Sequence, residues 1–96
     1  MFDLMDFYKF LTTKFDSYED RLVKNTKQGR YIIDTCYCND TEKFETAINK
    51  DNGQWIVVEE YETKELAKNG HKKWVEFTKA NPQKAYSIQL ETFIMF

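Results

Sequence analysis

Residues 54–77, QWIVVEEYETKELAKNGHKKWVEF, decide the fold. Trp55, Ile56, Val57 and Val58 form a β-branched and aromatic run, which suits a pleated, buried strand. Past Glu62 the apolar period lengthens, and Leu66, Gly70, Trp74 and Phe77 recur at helical spacing. The stretch predicts a strand over 54–61 feeding a helix over 63–79, packed together through Trp55, Val57, Leu66, Trp74 and Phe77. Thr63 is placed to cap the helix with its hydroxyl oxygen. Glu65 adds negative charge to the first turn, where the helix dipole favours it.

Working outward, Lys50-Asp51-Asn52-Gly53 is the clearest turn in the chain, because Asn-Gly tolerates positive φ. It joins the 54–61 strand to an earlier one in which Phe44, Thr46 and Ile48 alternate. Before that, Asn39-Asp40 supplies a turn, and Tyr31, Ile33, Thr35 and Tyr37 alternate with Ile32, Asp34, Cys36 and Cys38. Three strands in antiparallel meander follow from these signals. Upstream, Leu4, Tyr8, Leu11, Phe15, Tyr18 and Leu22 step by four and three, which predicts helix over 1–27 with a break near Asp16-Ser17. Gly29 reads as its stop. Downstream, Asn81-Pro82 ends the central helix. Tyr86, Ile88 and Leu90 then alternate against a wet face of Ser87, Gln89 and Glu91, ahead of a closing Phe93-Ile94-Met95-Phe96. The expected class is α+β: N-terminal helix, three-stranded antiparallel meander, helix and a C-terminal strand that joins the sheet (αβββαβ).

The composition suits a single domain over 1–96, with 42% hydrophobic and 17% aromatic residues. Fourteen basic residues against sixteen acidic ones leave a net charge of −2, so no overall positive field draws the chain to nucleic acid or anionic lipid. Nucleic acid is therefore an unexpected partner unless the contact is local. The opening MFDLMDFYKF carries aspartates where a secretory signal carries lysines, and no apolar run approaches the roughly 18 residues of a membrane span. The expectation is a cytoplasmic protein without membrane attachment. Cys36 and Cys38 fall on one face of one strand, a poor geometry for a mutual disulfide and a weak start for a metal site, so they read as reduced packing thiols.

Little in the sequence suggests catalysis. The single histidine, His71, sits on the central helix between Gly70 and Lys72 with no nucleophile at supporting spacing, and it reads as an interfacial structural residue. No phosphate loop, metal-ligand spacing or cofactor motif is present, and the expectation is a non-enzyme without metal or cofactor. Gly70 costs about 1 kcal/mol against Ala in mid-helix, and close packing is its plainest reason. Lys64, Lys68 and Lys72 step by four along the helix, a pattern able to contact phosphate, although a solvated face explains it as simply. Glu59, Glu60 and Glu62, flanking Tyr61 at the strand end, with Asp34, Glu45 and Glu91 on neighbouring strands and Asp16, Glu19 and Asp20 before them, compose a candidate acidic contact surface for a basic groove. Ordinary solvation accounts for these acids equally well.

The run from Gly29 to Phe77 resembles small proteins encoded by phages and prophages of Gram-positive bacteria. In these a strand ending V-E-E-Y precedes a T-x-E-x-A-x-x-G-H-x-x-W helix. Val58, Glu59, Glu60, Tyr61, Thr63, Glu65, Ala67, Gly70, His71 and Trp74 carry the match, while Leu66 stands in a slot often acidic in that pattern. The resemblance implies a mobile-element origin and supplies no catalytic residue. It favours an interaction protein acting in the host cytoplasm that binds a host protein, such as a nucleic-acid-guided defence nuclease of the CRISPR kind, and inhibits it. Two other readings are a phage assembly protein that forms a homo-oligomer through Leu4, Phe7, Tyr8 and Leu11, and a nucleic-acid-binding accessory protein that uses the lysine face.

Overall fold

The computed structural model describes residues 17–96. A four-residue helix α1 (Tyr18–Arg21) runs into β1 (Leu22–Gln28), followed by β2 (Tyr31–Cys38), β3 (Lys43–Lys50) and β4 (Ile56–Tyr61). Helix α2 (Lys64–Thr78) comes next, then β5 (Lys84–Ser87) and β6 (Thr92–Met95). The first four strands form one antiparallel sheet in sequence order, and β5 pairs with β6 in a separate hairpin. The class is α+β, as expected, but the αβββαβ order is not what the chain adopts.

The helical reading of 1–27 holds for the short turn Tyr18–Arg21, which starts after Ser17 where the sequence predicts a break, and fails over 22–27; residues 1–16, with the candidate seam of Leu4, Phe7, Tyr8 and Leu11, lie outside the described residues. Residues 22–28 are a strand because β2 offers a ladder partner from Leu22↔Cys36 to Gln28↔Tyr31, interrupted only by a register shift at Val23. Val23 and Thr26 are β-branched and suit it, and tertiary pairing overrides the period-four spacing. Gly29 does adopt positive φ, at 59°, but as the first residue of a two-residue hairpin loop rather than a helix stop. At the β3–β4 hairpin the positive φ values fall on Asp51 (54°) and Asn52 (58°), and the Gly53 amide donates to the Lys50 carbonyl at 3.0 Å.

Both faces of the 54–77 unit need correction. Trp55 is 50% exposed and Leu66 52% exposed, whereas Ile56, Val58 and Tyr61 on the strand and Ala67, Gly70, His71 and Thr78 on the helix are buried. A bulge explains the strand: Thr46 pairs with Glu59 and Ala47 with Val57, which leaves Val58 as an extra residue. Ile56, Val58 and Glu59 thereby face α2, and Val57 turns outward with Ala47. On the helix, small residues occupy the contact row so that the backbone can approach the sheet. Trp74 and Phe77 do pack inward, edge to face with ring centroids 5.1 Å apart, and the Trp74 indole donates to Glu59 Oε1 at 2.8 Å. Thr63 caps α2 as expected, its hydroxyl accepting from the Leu66 amide at 3.2 Å.

The C-terminal strand does not join the sheet. Glu91 takes positive φ (55°), the Ser87 hydroxyl accepts from the Leu90 amide at 3.0 Å, and the chain doubles back so that Ser87 faces Thr92. A hydrogen bond from the Ile88 amide to the Val57 carbonyl at 3.0 Å ties this hairpin to β4. Its alternation is also inverted: Ala85 and Ser87 are buried, while Tyr86, Leu90, Phe93 and Met95 are exposed. Small residues again occupy the side where backbones approach closely. The core of Tyr31, Ile33, Ile48, Ile56, Val58 and Ala85 lies between the inner sheet face, α2 and the hairpin.

Candidate functional site

Strand alternation sends Tyr31, Ile33 and Thr35 inward and Ile32, Asp34 and Cys36 outward. On the outer face, antiparallel register sets Asp34 between Asn25 and Ala47, Cys36 opposite Glu45, and Glu45 opposite Glu60. Asp34, Glu45 and Glu60 thus lie on one face across three adjacent strands. Glu60 repels Glu45, whose carboxyl is raised above its usual range by burial first and by that charge second. Asp34 is only 9% exposed; the Asn25 side-chain amide donates to its Oδ2 at 2.7 Å, and the Tyr18 hydroxyl donates to the same oxygen. Loss of solvent, and then Asp34, push the Tyr18 hydroxyl up to about 12, which keeps it a neutral donor. The Cys36 thiol is raised to about 11 by burial and by Asp34, so it is a poor nucleophile near neutral pH. A cavity of about 430 Å³ opens here, lined by Tyr18, Asn25, Ile32, Asp34, Ala47 and Trp55.

The predicted partner-contacting acids do not share this face. Glu59 is turned inward by the bulge and accepts from Trp74 and from Lys73 Nζ at 2.6 Å. Burial works against its charge, but the hydrogen bonds from Lys73, Trp74 and Tyr61 outweigh it and hold the carboxyl below its usual range. Glu62 lies past the strand end, 3.4 Å from Lys43 Nζ. Tyr61 is buried against Gly70 and cannot meet a partner directly. Of the four, only Glu60 stands on the outer sheet face. Sequence reasoning placed Trp55 in the core and missed its place at this cavity; the available signal was Asp34, a carboxylate in a strand row otherwise apolar.

Lys68 and Lys72 do come together, joined by Lys24 of β1 around a cavity of about 290 Å³ between β1 and α2. Lys64 is exposed beyond it. Beneath lies a buried hydroxyl–imidazole line. Thr26 Oγ1 and Thr35 Oγ1 each lie 2.8 Å from a ring nitrogen of His71; Thr35 then meets Thr46 at 2.6 Å, and Thr46 meets the Tyr61 hydroxyl at 3.0 Å. His71 is 4% exposed, and burial, reinforced by Lys24 and opposed by Asp34, depresses its pKa. The imidazole is therefore neutral in the fold and holds α2 to β1 and β2.

This gives a pH prediction. Unfolded histidine titrates near 6.5, so below that the unfolded chain takes up a proton that the folded one resists, and stability falls with falling pH. Between pH 7.5 and 5 the urea midpoint of the parent should drop, and His71→Gln should flatten that slope while lowering the midpoint throughout. Equal slopes in the two chains would show that His71 does not couple to folding.

Among the described residues no cluster of three or more His, Cys, Asp or Glu is arranged to hold a metal ion, and no helix is long and apolar enough to cross a membrane. Compared with family models, curated proteins and solved structures, the chain matches none.

Proposed function

We propose that this chain is a non-enzymatic binding protein that occupies a basic surface of a host protein and inhibits it, with a nucleic-acid-guided defence nuclease as the partner class and the host cytoplasm as its place of action. The observation that carries this reading is the outer sheet face, where Asp34, Glu45 and Glu60 line up beside exposed Trp55. Negative charge steers association with a groove built for phosphate, and a desolvated aromatic supplies binding energy at the contact. The resemblance of 29–77 to phage-encoded proteins supports the choice of partner.

Charge reversal tests it. Glu45→Lys with Glu60→Lys should weaken inhibition of guided cleavage at least tenfold with little change in the melt, since both side chains leave the core untouched. Lys68→Glu with Lys72→Glu is the opposed control and should inhibit as the parent does. Normal inhibition by the acidic-face variant with failure of the lysine variant would move the contact to the β1–α2 cleft and favour nucleic-acid binding.

A homo-oligomer is the second reading, carried by a different surface. Tyr86 and Phe93 pair across the β5–β6 hairpin with ring centroids 5.3 Å apart, beside exposed Leu90 and Met95, and Lys84 Nζ sits 4.9 Å from the Phe93 ring centre. Contiguous exposed apolar side chains on one face favour association. Sedimentation of the parent against Leu90→Glu with Phe93→Glu separates a self-associating chain from a monomer.

A further inference from the structure

We propose that the cavity on the outer sheet face is a socket for an arginine side chain of the bound protein, with Asp34 as the anion and Trp55 as the stacking wall. It rests on the partner-binding reading and names the group that this surface recognises. Three observations carry it.

First, Asp34 is a buried carboxylate whose hydrogen-bond donors among the described residues are neutral: Tyr18 and Asn25 act on Oδ2, and the Cys36 thiol also bonds to the carboxylate. No lysine or arginine among the described residues lies within ion-pair distance of it; the ion pairs formed involve Asp51, Glu62, Glu59 and Glu76. A carboxylate buried among neutral donors is costly to keep charged, and a cationic ligand offsets that cost. Second, the cavity reaches the 300–1,000 Å³ range typical of roughly pocket-sized ligand sites, at about 430 Å³, and Asp34 is the one charged side chain among the described residues lining it. Third, the remaining walls suit the rest of an arginine. Ile32 and Ala47 offer apolar surface to its methylenes, and Trp55, half exposed, offers an indole face to a planar cation.

Arginine is favoured over lysine by shape. Its guanidinium is flat, weakly hydrated and forked, so it can lie on an indole and still present N–H groups to the Asp34 carboxylate. Glu45 and Glu60 extend the same sign of charge along the face and would hold further basic groups of the partner at its rim.

The test uses Nα-acetyl-arginine N-methylamide, titrated into the ¹⁵N-labelled chain. Shifts should be confined to the Trp55 indole, the Asn25 side-chain amide and the amides of Ile32, Asp34 and Ala47. The lysine analogue should bind at least fivefold more weakly, and the neutral citrulline analogue should give no shift. Asp34→Asn should weaken arginine binding at least tenfold. Because that change touches a buried group, Trp55→Ala serves as a second variant at an exposed position and should weaken it severalfold with an unchanged melt. Equal shifts from citrulline, equal affinity for lysine, or shifts that map to the Lys24–Lys68–Lys72 cleft each overturn the socket. The outcome is separable from the nuclease reading: arginine bound here by a chain that inhibits no nuclease keeps the socket and removes the nuclease, while inhibition without arginine binding does the reverse.

Discussion

Gly70→Ala should destabilise the fold by about 3 kcal/mol, although alanine is the better helix former by about 1 kcal/mol. A Cβ at position 70 would overlap the Tyr61 hydroxyl and ring, which lie directly against the glycine. Overpacking of this kind costs roughly 1–3 kcal/mol, and relief requires Tyr61 to move. That in turn breaks its contact with Thr46 Oγ1 and leaves a buried polar line short of one member, at about another 1–3 kcal/mol. In a domain of this size the sum corresponds to a fall in Tm of roughly 10–20 °C. A double-mutant cycle decides the cause. With Tyr61→Ala already in place, Gly70→Ala should be neutral or stabilising, because the overlap is gone and only the helix preference remains. A parent chain whose Tm rises on Gly70→Ala would show that glycine serves no packing role there.

The same pair of residues shows what the sequence could reveal. Glycine in mid-helix announced a close approach, but not which side chain approached; that depended on the bulge at Val58, which turns Tyr61 inward. Pattern reading found β2, β3, β4 and α2 because each carries its period in its own residues, and in β2 it separated the row of Tyr31, Ile33 and Thr35 from that of Ile32, Asp34 and Cys36 without saying which is buried. It misplaced Trp55 because a single bulged residue reverses the face of everything before it, and nothing local marks the reversal. It also took large residues for the buried row, where α2 and the hairpin bury Ala67, Gly70, Ala85 and Ser87 instead. The candidate cavity was half legible. Asp34 stands out in an apolar row, whereas the meeting of Tyr18, Asn25 and Trp55 around it is a product of register between elements far apart in the chain.

Tyr31→Ala should cost about 3–5 kcal/mol, the usual range for removing a large buried aromatic, because Tyr31 joins the sheet to the C-terminal third of the molecule. It is 2% exposed, its ring meets Phe96 edge to face at 5.4 Å between centroids, and its hydroxyl donates to the Pro82 carbonyl at 2.7 Å. Tyr31→Phe keeps the ring contact and loses only the hydrogen bond, so it should cost about 1 kcal/mol. The two variants should differ in kind as well as size. With the ring gone, the β5–β6 hairpin keeps its tie from the Ile88 amide to Val57 but loses the seat of Phe96, whose amide donates to Gln83 at 2.9 Å. Hydrogen exchange in Tyr31→Ala should therefore quicken first at Phe96 and along β5 and β6, ahead of the β2–β3 ladder, since local opening follows the loss of buried contacts. If the exposed hairpin face of Tyr86 and Phe93 mediates self-association, that association should weaken in Tyr31→Ala and persist in Tyr31→Phe. Uniform acceleration across all strands would mean that the hairpin and sheet open as one cooperative unit and that Tyr31 is ordinary core rather than a joint.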